Sequence, residues 1–167
     1  VSIQHFEPIQ HIHMSHSYVR GNWHNSKQTT PIILAKSCHD LDILRWMLGK
    51  PSKSIQAFGD LSWFRKENAP EGSTARCTDG CKVERSCPYS ALEIYHRKRT
   101  GTFVFDLPEK KEEHGDYILD KLKTTNYGRC VYRMENDQPD HYTTHILFED
   151  NVKASFSIEA FTLYSGQ

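Results

Sequence analysis

The chain has 167 residues, of which 37% are hydrophobic, and its 21 basic and 21 acidic residues cancel to zero formal charge. That length suits one domain with its own core, and the cancelled charge excludes a nucleic-acid partner bound mainly by phosphate neutralisation, which needs a basic surface. No apolar run approaches a membrane span and no signal peptide is visible, so a cytoplasmic location without membrane contact is expected.

In chain order, Val1–Ile9 alternates like a strand and leads into a His-rich connection through His11, His13 and His16. Thr30 to Gly49 then reads as one helix of about five turns. Thr30 is a suitable N-cap, Pro31 fits the first helical position, and Gly49 with Pro51 closes the far end. Ile33, Leu34, Leu41, Leu44, Met47 and Leu48 supply its apolar surface. Ser54 to Trp63 alternates as a second strand, and Arg65 to Pro88, with Pro70, Gly72, Gly80 and Pro88, reads as a loop or insertion. Ser90 caps a short helix to Arg97, and Tyr117–Thr124 forms another. The basic run His96–Arg99 is answered by Glu109–Glu113 and reads as solvated loop. His141–Glu149 and Val152–Thr162 alternate on either side of the turn residues Asp150 and Asn151, which marks a hairpin. The expected architecture is α+β, a largely antiparallel open sheet with the long helix packed on one face.

Polar chemistry concentrates in that helix. Lys36, His39, Asp40 and Ile43 lie at i, i+3, i+4 and i+7, a spacing that brings a cation, an imidazole and a carboxylate onto one stripe. The competing reading is a structural pair in which Asp40 satisfies a buried His39. Upstream, Arg20 offers a bidentate fork for a carboxylate or phosphate, and Trp23 a flat face on which sugar C–H groups pack. His16 joins them as a candidate lining residue. Cys77, Cys81 and Cys87 stand within eleven residues of a Gly-containing loop, close enough to ligate one zinc ion with a fourth ligand such as His96 or a residue remote in sequence. Free buried thiols or a disulfide are the alternatives, and the odd total of five cysteines opposes a fully paired secreted framework. Cys38 and Cys130 read as buried small thiols.

HSYVRGNW at His16–Trp23, CHDLDILRWMLG, DGCKVERSCPYSA, and Gly128–Thr162 occur in this order across most of the chain. Together they resemble the substrate domain of the Gfo/Idh/MocA oxidoreductases, with its dihydrodipicolinate-reductase-like fold. The resemblance implies that residues 1–167 are a substrate-binding and oligomerisation domain without the N-terminal Rossmann domain. No G-x-G-x-x-G and no Glu-Lys-Pro motif is present, and further strands are implied beyond Thr162. It also implies an NAD- or NADP-dependent hydride transfer on a sugar, cyclitol or related polyol, with the cofactor held mainly by the missing domain and with sheet-to-sheet dimers or tetramers. On this reading His39, Lys36 and Asp40 are the catalytic group, and His16, Arg20, Trp23, Asp140 and His141 line the substrate. The family's helix carries Asp, three residues, then His; here His39 matches the histidine, Ala35 stands at the aspartate and Lys36 follows it. Pro139 and the neighbouring Asp and Asn residues give Asp140 and His141 a loop-forming alternative. A non-catalytic carbohydrate-binding or interaction module, and an NAD-assisted glycosidase, are the other functions compatible with the resemblance.

Overall fold

The computed structural model describes residues 2–164, so Val1, where the first strand was expected to begin, lies outside the described residues. Four strands, β1 (Ser2–Gln10), β2 (Ser52–Asp60), β3 (His141–Phe148) and β4 (Lys153–Thr162), form one sheet in the order β1-β4-β3-β2. The expected hairpin is β3–β4, and its turn holds Asp150 and Asn151 at φ 55° and 58°, a conformation that Asp and Asn tolerate better than most residues. β2 pairs antiparallel with β3. β1 departs from the antiparallel expectation: it runs parallel to β4, with His5 beside Phe156 and Glu7 beside Ile158, so the sheet is mixed. A parallel pair needs a long crossover, and everything between β1 and β4 serves as one.

The register makes two chemically distinct faces. Row by row across the strands, Ile3, Ala154, Ile146 and Ile55 share one face with His5, Phe156, Thr144 and Ala57, and with Glu7, Ile158, Tyr142 and Gly59. Phe156 and Ile158 are fully buried there. On the opposite face Gln4, Ser155, His145 and Gln56 form one row, and Phe6, Ser157, Thr143 and Phe58 the next. Phe6 and Phe58 are about half to two-thirds exposed on that open side, at 48% and 63%.

The long helix is broken. Ile32–Ala35 forms α2 and Cys38–Leu48 forms α3, with Ser37 at φ −92°, ψ 7° between them. Ser37 is fully buried, and its hydroxyl hydrogen-bonds the Tyr142 hydroxyl of β3, so the sheet holds the residue at which the helical path is interrupted. The expected cap also changes. Thr30 makes no side-chain cap; instead the buried Gln138 accepts the Ile32 N–H at 2.8 Å and donates to the Thr30 carbonyl at 3.3 Å. Gly49 closes α3 in the left-handed conformation, φ 62°, as its sequence position implied. Leu44 is buried, while Leu34 and Met47, expected to bury the helix, are 59% exposed.

The His-rich connection is helical: the turn α1 (His11–His13) runs into a π-helical stretch, Met14–Arg20. Its wide turn buries Met14, Tyr18 and Val19, at i, i+4 and i+5, on one side. Residues 65–88 are irregular apart from a turn at Lys66–Asn68. A second π-helical stretch, Leu92–Arg97, follows Ser90, whose hydroxyl accepts the Glu93 N–H at 3.1 Å as a cap. Together with α4 (His114–Thr124) it encloses a smaller core of Ala91, Ile94, Tyr95, Phe105, Ile118 and Leu122. No helix among the described residues is long and apolar enough to cross a membrane.

Candidate functional site

Strand alternation places Ile3, His5, Glu7 and Ile9 of β1 on the covered face of the sheet. Two of these four are ionisable, and Glu7 is only 5% exposed. A buried carboxylate needs a partner, and the break between α2 and α3 supplies one: Lys36 Nζ donates to Glu7 Oε1. One turn further on, Asp40, 1% exposed, pairs through Oδ1 with His5 Nε2 at 2.7 Å. His5, Glu7 and Asp40 each place a ligand atom within 4.8 Å of the other two. The broken helix and the first strand thus meet through two adjacent ion pairs.

Other groups surround these pairs. His13 is held below its ordinary value of 6.5 first by burial and then by the Lys36 charge, with Glu7 opposing, so it favours the neutral imidazole. Tyr142, in the same cross-strand row as Glu7, is raised mainly by burial, against the hydrogen bond to Ser37 and with the Asp40 and Glu7 charges adding to the rise. Burial pushes Tyr18 up to about 12, with Cys38 contributing. Both phenols therefore remain hydrogen-bond donors at neutral pH. The Trp23 ring lies 6.0 Å from that of Tyr18 and is 44% exposed, at the margin of this group. Glu7 Oε2 is buried and has no hydrogen-bond partner among the described residues. The assembly offers a carboxylate oxygen, an ammonium, imidazoles and phenols, a donor and acceptor set able to hold a hydroxylated ligand.

The sequence-predicted residues divide between several places. Lys36 and Asp40 come together with β1, but His39 is exposed on the other side of α3, where it shares a face with Ile43 and Trp46 at i, i+4 and i+7. The stripe expected from an uninterrupted helix does not form, because the kink at Ser37 changes the facing between Lys36 and His39. His16 belongs to an aromatic group, its Nδ1 2.9 Å from the Tyr95 hydroxyl and its ring 5.3 Å to 5.6 Å from those of Tyr95, Phe103 and Tyr127. Burial, then the neighbouring His13 and Arg20, lower its pKa. Arg20 is fully buried and committed elsewhere: Nε donates to the Arg129 carbonyl at 2.8 Å, and Nη2 donates to the Tyr89 carbonyl at 2.8 Å and faces Cys77 Sγ at 3.8 Å. Its fork is therefore not presented to a ligand beside Lys36. Asp140, 0% exposed, accepts backbone N–H groups from Ser62, Trp63 and Phe64 at 3.0, 2.7 and 3.2 Å, the work of a loop anchor. His141 bridges Asp140 and Asp60 at 3.2 and 2.9 Å.

Cys77 and Cys87 come together with Cys130 and Arg20, and Cys81 lines the same small cavity. No three of the thiols form as tight a set as His5, Glu7 and Asp40, the group within 4.8 Å among the described residues. Burial pushes Cys87 up to about 11 and raises Cys130, which disfavours either as a free nucleophile.

His5 and Glu7 are the residues of this group that the sequence reading leaves out, and His13 stands there in the His-rich connection as a weaker lining candidate than His16. The signal was Ile3-x-His5-x-Glu7-x-Ile9, an apolar alternation whose two inner positions are ionisable. Among curated proteins, the one described as Putative oxidoreductase YteT, of Bacillus subtilis (strain 168), is 25% identical over 151 residues, covering 86% of this chain and 33% of that protein. The chain thus spans about a third of the length of the curated relative it matches. No family model matches the chain, and no solved structure does.

Proposed function

We propose that this chain is the substrate-binding part of an NAD- or NADP-dependent oxidoreductase that acts on a sugar, cyclitol or related polyol. The observation that carries the reading is the buried Glu7–Lys36 and His5–Asp40 pairing with Glu7 Oε2 left without a donor, since a ligand hydroxyl would satisfy that oxygen. The oxidoreductase relative supports the same direction. A bound nicotinamide would supply the hydride acceptor for oxidation of a carbinol to a carbonyl, and this chain's residues would hold the substrate and take the hydroxyl proton. His39 is the proposed proton acceptor, Lys36 and Asp40 orient the substrate, and Trp23 offers a face for sugar C–H groups. A Rossmann domain would hold the cofactor. The exposed face carrying His39, Ile43 and Trp46 is the surface it would cover, since apolar exposure of this kind marks an interaction site. A second copy would pack against the open sheet face beside Phe6 and Phe58.

The test is a panel of polyols and sugars offered with each nicotinamide to the protein joined to its cofactor domain, following nicotinamide reduction by absorbance. Reduction with one polyol class is expected. Saturable sugar binding without reduction would make the chain a carbohydrate-binding module, and sugar release without net reduction would favour the redox-assisted glycosidase.

A further inference from the structure

A buried charge where the two cores meet has no matching countercharge in its hydrogen bonds. Arg20 is 1% exposed and always protonated, yet its hydrogen bonds go to two carbonyls and a sulfur, none to a carboxylate. Four sulfurs share its cavity with Glu84, whose carboxylate pairs with Arg97. Cys77, Cys81, Cys87 and Cys130 line one cavity together with Arg20. Neutral thiols give a buried guanidinium no anion; thiolates do.

The backbone brings the cysteines together. The Cys77 N–H donates to the Gly128 carbonyl at 2.9 Å and the Cys130 N–H to the Ala75 carbonyl at 2.9 Å, either side of the antiparallel bridge between Arg76 and Arg129. This two-strand clip brings the loop cysteine to the distant one. Cys87-Pro88-Tyr89 and Cys130-Val131-Tyr132 repeat one pattern, a cysteine followed two residues on by a tyrosine. The Ala91 N–H approaches Cys77 Sγ at 3.4 Å. An N–H aimed at a sulfur is the outer contact that stabilises a metal-bound thiolate.

We infer that Cys77, Cys81, Cys87 and Cys130 form a structural four-thiolate site for one zinc ion, with Arg20 as its buried countercharge. Four thiolates around one divalent ion leave a net charge of about −2, which the guanidinium partly offsets. The space they line is about 20 Å³, room for one water-sized occupant and too small for an iron–sulfur cluster. The ion would draw the sulfurs closer than they stand among themselves. Its role is to fasten the otherwise irregular 65–88 loop to the segment leading into β3. The inference is independent of the redox reading.

The full chain, purified without added metal and dialysed, should contain close to one zinc per chain by elemental analysis. A cobalt-substituted sample should show the intense visible bands of a tetrahedral thiolate site. Cys130→Ser and Cys81→Ser should each lower metal content at least tenfold, whereas Cys38→Ser, which changes an exposed cysteine outside the cavity, should leave it unchanged. If the cysteine variants do not fold, the wild-type protein still decides: chelation should raise protease cleavage within 65–88 and expose four thiols to alkylation. Metal-free protein whose cleavage is unaffected by chelator, full zinc retention in Cys130→Ser, iron with labile sulfide in place of zinc, or a disulfide among the four would each overturn the inference.

Discussion

At the scale of single residues, the site is a set of partnerships across two elements. Glu7 is buried on the sheet, and its ionised form is tolerable because Lys36 reaches it. Removing one member of such a pair strands the other, so the conservative change is the informative one. Glu7→Gln keeps the shape and a carbonyl oxygen for Lys36 but removes the acceptor charge. If Oε2 receives a substrate hydroxyl, this substitution should raise KM roughly tenfold or more through loss of about 1.5–3 kcal/mol of a charge-assisted hydrogen bond, with a smaller change in kcat. Steady-state kinetics on the protein joined to its cofactor domain measure this directly. An unchanged KM would remove Glu7 from the substrate and leave it as a structural partner of Lys36.

At the scale of elements, the hairpin was legible because its signals are local. Alternation on both sides and an Asp-Asn turn specify β3–β4 without reference to anything distant. Gly49 was legible for the same reason. The helix break was not, because its causes are long-range: Ser37 is held by Tyr142, which is 105 residues away, and the helix start by Gln138 rather than by Thr30. Gln138 is 0% exposed and satisfies the first N–H of α2 from outside the segment. Gln138→Ala leaves that buried N–H unpaired and frees the Thr30 carbonyl to solvent, and should cost about 1–3 kcal/mol of stability in denaturant unfolding. A loss below about 0.5 kcal/mol would mean that water or a backbone shift replaces the cap. The stripe joining Lys36 to His39 failed through the same kink, since helical spacing holds only where the helix is continuous. The parallel placement of β1 was equally invisible, because it depends on which edge of a finished hairpin receives the strand.

At the scale of the whole molecule, one mixed sheet organises two regions of different chemistry. Its covered face presents His5 and Glu7 to the broken helix, while a cavity lined from both cores gathers four cysteines around Arg20. Three of the residues proposed for catalysis and binding, Lys36, Asp40 and Trp23, gather near the first region, and His39 faces outward from the same helix. That outward placement makes His39 the point at which the redox account is most exposed. In the protein joined to its cofactor domain, His39→Ala should lower the rate of the hydride-transfer step by about two to four orders of magnitude. An exposed side chain contributes little packing, so the melting temperature should be unchanged. Turnover and melting temperature measured on the same preparation provide the decisive comparison. Lost turnover with full thermal stability and unchanged cofactor affinity is the predicted result, and unimpaired turnover, or turnover that falls only in step with stability, would contradict it.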